Sequence, residues 1–322
     1  MIPVILDMDP GVDDALAIMM AMRAPELDVK AITVVGGNVS LELCVRNAMK
    51  VLDILELGDK APVVAAGAEH PIRREPVNAH SIHGSDGLGE LCRFQTNGSV
   101  SYPDSERTPS SGNAVDVILD LVDRLDGMTV IATGPLTNIA QAIVKDTQTM
   151  RKVSGIVIMA GAFKTPGNVT PVAEFNAYAD PDAMQIVLNS DINHLMLVSL
   201  DVTHKVRLYR HYLHERVRAN RNRRLQFILD CTELYMDFHR KNDGFDGCYL
   251  HDPLAVGVAI WPNLVKMEEL YVQVETCGRI TTGMTVADFR LRRSNLPPPN
   301  TSVCMDVDAE KFMRLFSDRV LC

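Results

Sequence analysis

Short apolar runs alternate along the chain with segments whose apolar residues recur every three or four positions. The runs Pro3 to Asp9, Val29 to Val35, Pro62 to Ala66, Met128 to Thr133, Gly155 to Gly161 and His194 to Leu200 have the length and β-branched content of buried strands. Between them lie helical patterns at Asp13 to Ala24, Leu41 to Leu57, Ala114 to Leu125, Pro135 to Val144 and Ala179 to Leu188. The first of these opens on acidic residues and stops before Pro25, as a helix should. Strands separated by helices predict right-handed crossovers and an open, mainly parallel sheet covered by helices on both faces. Further on, Val206 to His239 reads as one arginine-rich helical stretch with a solvated face. A helix at Asp252 to Ile260, strands near Leu270 to Glu275 and Val303 to Val307, and a closing helix from Asp308 complete the pattern.

The length of 322 residues allows two domains or one large α/β unit. The Ser/Pro/Asn-rich piece Gln95 to Asn113 and the run Pro297 to Pro299 read as surface loops, so a single domain over 1–322 is expected. With 47% hydrophobic and 23% charged residues the chain can bury a core, which excludes disorder. Its 32 basic and 41 acidic residues leave a net charge of −9. Such a chain gains nothing from counterion release on a phosphate backbone, so nucleic acid is not the expected partner. A small neutral or cationic ligand fits better. The seven scattered cysteines contain no C-x-x-C pair and read as free thiols in a reducing compartment. No basic and apolar leader precedes Asp7, and the longest uncharged stretch, Gly127 to Val144, carries Thr-Gly-Pro-Leu-Thr-Asn at its centre. A cytoplasmic protein without a membrane span is expected.

In a Rossmann-like sheet of this kind ligands bind beyond the carboxyl ends of the strands. Asp7, Asp9, Asp13 and Asp14 follow the first strand; Asn38, Thr133, Asn168, Glu174, Asn176 and Asp201 follow later ones. In Asp7-Met-Asp-Pro-Gly-Val-Asp-Asp14, alternation should turn Asp7 and Asp9 to one side, Pro10-Gly11 makes a turn, and Asp13 and Asp14 open a helix. Helix-terminal charge explains one of these four acids but not all of them. Crowded carboxylates without nearby Cys or His call for a hard cation, Ca²⁺ or Mg²⁺. His251-Asp252-Pro253 precedes an apolar helix, where Asp252 also suits a cap with Pro253 at the first position. His83 sits in the glycine-rich segment Ser81 to Gly87. The other seven histidines show no paired ligand spacing and read as structural.

The D-x-D-P-G-x-D-D pattern resembles that of the inosine-uridine preferring nucleoside hydrolases. Further matches follow in the family's order: Thr133 to Asn138, Gly167 to Asn176, Asp201-Val-Thr-His204, His251 to Pro253 and Thr282 to Asp288. The resemblance implies Ca²⁺ held by Asp9, Asp14, Asp252 and the Thr133 carbonyl, with Asp7 supporting them. It also implies that Asp13, Asn38, Asn168, Glu174 and Asn176 bind ribose hydroxyls, and that Asp9 takes the proton from metal-bound water. Cleaving an N-glycosidic bond builds positive charge on the ribose and leaves a base that needs a proton, for which His251 is the first candidate and His83 the second. Tyr235, Phe238, Phe245 and Tyr249 are available to stack the base. The implied protein is a ribonucleoside hydrolase of purine and pyrimidine salvage, a homodimer or homotetramer, with a pyrimidine preference read from the helix Asp230 to His239. Loops at Gln95 to Asn113 and Arg292 to Asn300 are longer than the common core needs. Two rivals remain. One is a calcium-dependent nucleoside- or ribose-binding protein without turnover. The other is a haloacid dehalogenase-like Mg²⁺ phosphatase, which also begins with Asp-x-Asp after a first strand.

Overall fold

A computed structural model describes residues 1–290 and 297–322. Eight strands form its main sheet: β1 (Ile2–Met8), β2 (Leu27–Val34), β3 (Val63–Ala66), β4 (Thr129–Ala132), β5 (Gly155–Ile158), β6 (Leu195–Leu197), β7 (Val265–Leu270) and β8 (Thr301–Val307). Their order is β7-β8-β6-β5-β4-β1-β2-β3. All pairs are parallel except β7 with β8 at one edge. The chain therefore runs outward from β1 through β2 to β3, then returns to β1's other side with β4. Loops leaving β1 and β4 diverge at that switch, which opens a crevice at the carboxyl edge of the sheet.

Alternation along β1 divides the core. Val4, Leu6 and Met8 belong to one apolar cluster, and Ile5 to the other on the opposite face. The first cluster takes in α1 (Val12–Met22), α2 (Leu41–Ile54) and, from the end of the chain, α8 (His251–Ile260) and α9 (Ala309–Val320). The second takes in α3 (Ala114–Arg124), α4 (Thr137–Lys145) and α5 (Pro181–Leu188). Helix α1 is buried from Val12 to Ala21, and α8 is buried everywhere but Ala259. Beyond their polar first turns both are apolar all round because each lies beneath other helices, α1 against α8, α2 and α9.

Two expectations need correcting. The arginine-rich stretch is not one helix: a short strand at Arg207–Tyr209 leads into α6 (Arg210–Ala219), and α7 (Arg223–Asn242) starts afresh after Asn220 to Asn222. Asn220 closes the first helix and Asn222 caps the next, its side chain accepting the Leu225 N–H. The edge strand β7 was not foreseen either, since Lys266, Glu268 and Glu269 hide its apolar alternation. The segment 95–113 carries a small hairpin, Gln95–Thr96 with Ser99–Val100, and buries Tyr102. Of the second long loop, residues 292–296 lie outside the described residues. All seven cysteines are free, and no described helix is long and apolar enough to cross a membrane.

Candidate active site

A cavity of about 500 Å³ opens at the carboxyl edge, and nearly every residue around it comes from a loop or a helix terminus. At its deep end the turn after β1 brings Asp9, Asp13 and Asp14 towards Asp252, the second residue of α8. Carboxylate oxygens of Asp13, Asp14 and Asp252 lie within 4.8 Å of one another. Asp14 is held by N–H donation from Gly11 (2.9 Å), by the Asn38 side chain (3.2 Å) and by the Thr133 hydroxyl (2.8 Å). Asp9 accepts the Asn38 backbone N–H through Oδ2 (2.7 Å), while its Oδ1 is buried without a hydrogen-bond partner. A side chain at Gly37 would collide with the Asp9 carboxylate, so that approach requires glycine.

Burial pushes all four carboxyls up. Asp13 reaches about 7, through burial first and the Asp14 charge second; Asp14 reaches about 6, mainly through burial. Asp9 and Asp252 are raised well above the ordinary carboxylate range by burial and by their acidic neighbours. Two helix amino ends, those of α1 and α8, offset part of this repulsion. Four buried carboxyls and an orphaned oxygen, with no Cys or His among them, are a donor set that suits a hard divalent cation.

Asp7 does not share this environment. Strand β1 ends at Met8, so the alternation that would align Asp7 with Asp9 is broken by the turn. The Asp7 carboxylate instead accepts from Thr33 (2.6 Å) and Asn138 (2.9 Å), and burial raises it to about 7. Asp252 does not cap α8: Leu250 holds the cap position, and Pro253 is the third helical residue. The capping explanation for Asp252 therefore falls.

Along one wall lie Asn38, Asn168, Glu174 and Asn176. Glu174 caps the short helix Phe175–Ala179 and accepts N–H groups from Gly161 (3.1 Å), Asn176 (2.8 Å) and Ala177 (3.0 Å). An ionised carboxylate offers about four acceptor positions, so about one remains for a ligand hydroxyl. The Asn176 amide nitrogen donates to the carbonyls of Thr133 (2.6 Å) and Met159 (3.0 Å), which fixes its oxygen. Asn168 is exposed at the rim and accepts the Phe175 N–H.

The opposite wall is aromatic. His83 and Tyr235 stack with ring centroids 5.3 Å apart, and His251 bonds Thr203 Oγ1 through Nδ1 (2.8 Å). The Val12 N–H donates to His83 Nδ1 (3.1 Å), so the His83 ring carries its proton on Nε2. Burial lowers His83 to about 3 and His251 well below the usual histidine range, so both rings are neutral. Phe238 and Tyr249 also line the cavity, whereas Phe245 packs behind against His239 and Tyr249.

Sequence reasoning left His204 and His239 as structural, yet both line the cavity. His239 Nδ1 pairs with Asp243 (2.7 Å) and its Nε2 is buried without a partner. The spacing Tyr235, His239, Asp243 places the first two on one stripe of α7 and the third just past its end on the same side, a signal present in the sequence. Among the described residues no lysine or arginine lines the cavity.

Residues 4–314 match the family described as inosine-uridine preferring nucleoside hydrolase. A pyrimidine-specific ribonucleoside hydrolase RihA from Salmonella gallinarum is 38% identical over 99% of this chain and 98% of its own. Among solved structures, the plant nucleoside hydrolase PpNRh1 is 33% identical, with a TM-score of 0.91 over 100% of this chain and 99% of that one. A purine-preferring ribonucleoside hydrolase from Gardnerella vaginalis is 34% identical, with a TM-score of 0.89 over 99% and 98%. The chain thus belongs to the inosine-uridine preferring nucleoside hydrolase family and is a hydrolase acting on N-glycosyl compounds.

Proposed function

We propose that the protein hydrolyses the N-glycosidic bond of ribonucleosides in a Ca²⁺-dependent reaction, with a preference for pyrimidines. The observation that carries this reading is a single cavity with buried carboxylates at one end and an aromatic, histidine-bearing wall at the other. That division matches a sugar that becomes cationic and a base that must leave. Asp9, Asp14, Asp252 and the Thr133 carbonyl are assigned to the cation; Asp13, which reaches the same point, is assigned to the sugar with Asn38, Asn168, Glu174 and Asn176. When bound, the cation supplies charge that holds sugar hydroxyls and acidifies water.

The chain's own groups then have defined tasks. Asp9 keeps an unpartnered oxygen that can take a proton from the attacking water. Glu174, anchored by three amides, presents a fixed acceptor to a ribose hydroxyl and negative charge to the ring as it becomes oxocarbenium-like. His251, oriented by Thr203, is assigned to hydrogen-bond the departing base and stabilise it as the bond breaks, and His83 is the second candidate for that role. Tyr235 and Tyr249 exclude water and stack the base.

The pyrimidine preference rests on the likeness to the pyrimidine-specific relative and on an aromatic wall without tryptophan. Two rival readings lose support. A phosphate monoester meets no cationic side chain among the cavity's described residues, and a mere binding protein has no use for an acid and a base on opposite walls. Incubation with uridine, cytidine, inosine and p-nitrophenyl phosphate tests all three. Free ribose from uridine and cytidine ahead of inosine is expected, with no phosphate released; phosphate release alone would overturn the reading.

A further inference from the structure

The stretch from Arg216 to Arg224 holds five arginines in a chain of net charge −9. Two of them are engaged. Arg216 donates to the Tyr212 hydroxyl (2.7 and 3.1 Å), and Arg224 donates to the Cys322 carbonyl. Arg218, Arg221 and Arg223 surround a hollow of about 570 Å³ between α6 and α7, together with His214 and Asn222. Among the described residues no acidic side chain lines it. Its remaining surface is Val217, Leu229 and Gln226.

Two other arginines on the same helices, Arg210 and Arg240, are neutralised. Arg210 meets Asp237 and Asp246, and Arg240 meets Asp237. Among the described residues Arg218, Arg221 and Arg223 take part in no ion pair, whereas Arg46, Lys50, Arg107, Lys205 and Arg319 each pair with an acid. Three arginines lining one hollow place like charges close together, and an anion between them relieves their repulsion. Guanidinium forks match phosphate oxygens, and the buried Val217 with the half-buried Leu229 offers an apolar floor to the rest of a ligand. The volume is that of a small-molecule site.

We infer that the hollow lined by Arg218, Arg221 and Arg223 binds a phosphate monoester of nucleotide or sugar-phosphate size, at a site separate from the cavity lined by Asp13 and His251. No lining residue is shared between the two. The catalytic cavity, without a lysine or arginine among its described lining residues, has no corresponding place for phosphate.

The test is calorimetric titration of the full-length protein with UMP, ribose 5-phosphate and inorganic phosphate. It is run on the wild type, on the Arg218→Gln/Arg221→Gln/Arg223→Gln variant and on an Arg151→Gln control. Each lost charge-assisted contact should weaken binding about tenfold, so the triple variant should lose measurable affinity while Arg151→Gln keeps it. Binding should also fall as salt rises. Tighter binding of UMP or ribose 5-phosphate identifies an organic ester as ligand, and equal binding of inorganic phosphate identifies phosphate alone; both support the site. Uridine hydrolysis without added anion should be unchanged in the triple variant, which shows that it is folded. Three results overturn the inference: no binding of any of the three anions, binding that survives the triple substitution, or capture of heparin or RNA in their place.

Discussion

At the carboxylate end of the cavity Asp9, Asp13, Asp14 and Asn38 come from neighbouring turns and are fixed by backbone N–H groups and by one another. At the aromatic end His83, His204, Tyr235, His239 and His251 come from four separate segments and meet mainly through ring contacts. The first end is a rigid cluster of like charges at a topological switch, where even a methyl group at Gly37 has no room. The second is a packed wall in which one ring can be exchanged for another of similar size. The difference suggests that sugar recognition is held strictly while base recognition is adjustable. Relatives named as pyrimidine-specific and purine-preferring, at 38% and 34% identity to this chain, are consistent with that division.

Five experiments would break or sharpen the comparison. The largest effect should come from the substrate itself. If the carboxylate end reads ribose hydroxyls, 2′-deoxyuridine leaves buried polar groups unpaired and kcat/KM should fall by ~10⁴ relative to uridine. Similar values for the two would remove the proposed sugar clamp. Next, Asp14→Ala should lose the bound metal, measured by mass spectrometry after gel filtration, and with it ~10³ in turnover, since a metal supplies several kcal/mol of charge stabilisation. Retention of stoichiometric Ca²⁺ and activity would contradict the assignment.

At the other end, His251→Ala should cost ~10² in kcat on uridine yet leave most activity on p-nitrophenyl riboside, whose leaving group departs without a proton. Equal losses on both would make His251 a positioning residue and promote His83. His239→Leu should shift KM by only about tenfold, and by different factors for uridine and inosine, because a base contact of about 1.4 kcal/mol is tenfold. A uniform loss of kcat on both would show that His239 belongs to the chemistry rather than to base selection.

The smallest effect is on stability. Asp7 and Asp13 stand at about 7 and Asp14 at about 6, against an ordinary 3.8. Without a cation the folded state then holds protons that the unfolded chain has already released between pH 3.8 and about 7. Stability is therefore full at the acidic end of that window and falls as pH rises through it. A cation needs the carboxylates ionised, so added Ca²⁺ should raise Tm more at pH 8 than at pH 5. A Ca²⁺ increment that is the same at both pH values would mean the ion binds elsewhere.

The legibility of the site follows the same division. Asp9, Asp13 and Asp14 could be read because they fall directly after a strand and a Pro-Gly turn, so local geometry alone converges them. Asn38, Thr133, Glu174 and Asn176 could be read as polar residues at strand ends, and the parallel sheet brings those ends to one edge. His204, just after the short helix Leu200–Thr203, had no such signal. His239 carried one in its spacing with Tyr235 and Asp243, but a histidine on an amphipathic helix looks the same whether that helix faces a ligand or a neighbour. Only the packing of α7 against the segment carrying His83 decides it. Asp252 was legible as a site residue but not as uncapped, since the cap position depends on how the chain leaves the Gly247–Tyr249 strand.

What the sequence determined by itself is the alternation of strands and helices, the parallel sheet that follows from it, and the acidic cluster at its carboxyl edge. These rest on period, chirality and turn chemistry, which act over a few residues. Tertiary structure alone decided that Asp7 lies apart with Thr33 and Asn138, that the arginine-rich stretch folds back at Asn222, and that three arginines face one hollow. The reason is physical. Burial, desolvation and the meeting of side chains distant in sequence belong to the packed molecule, and no local pattern encodes which partner a polar group will find.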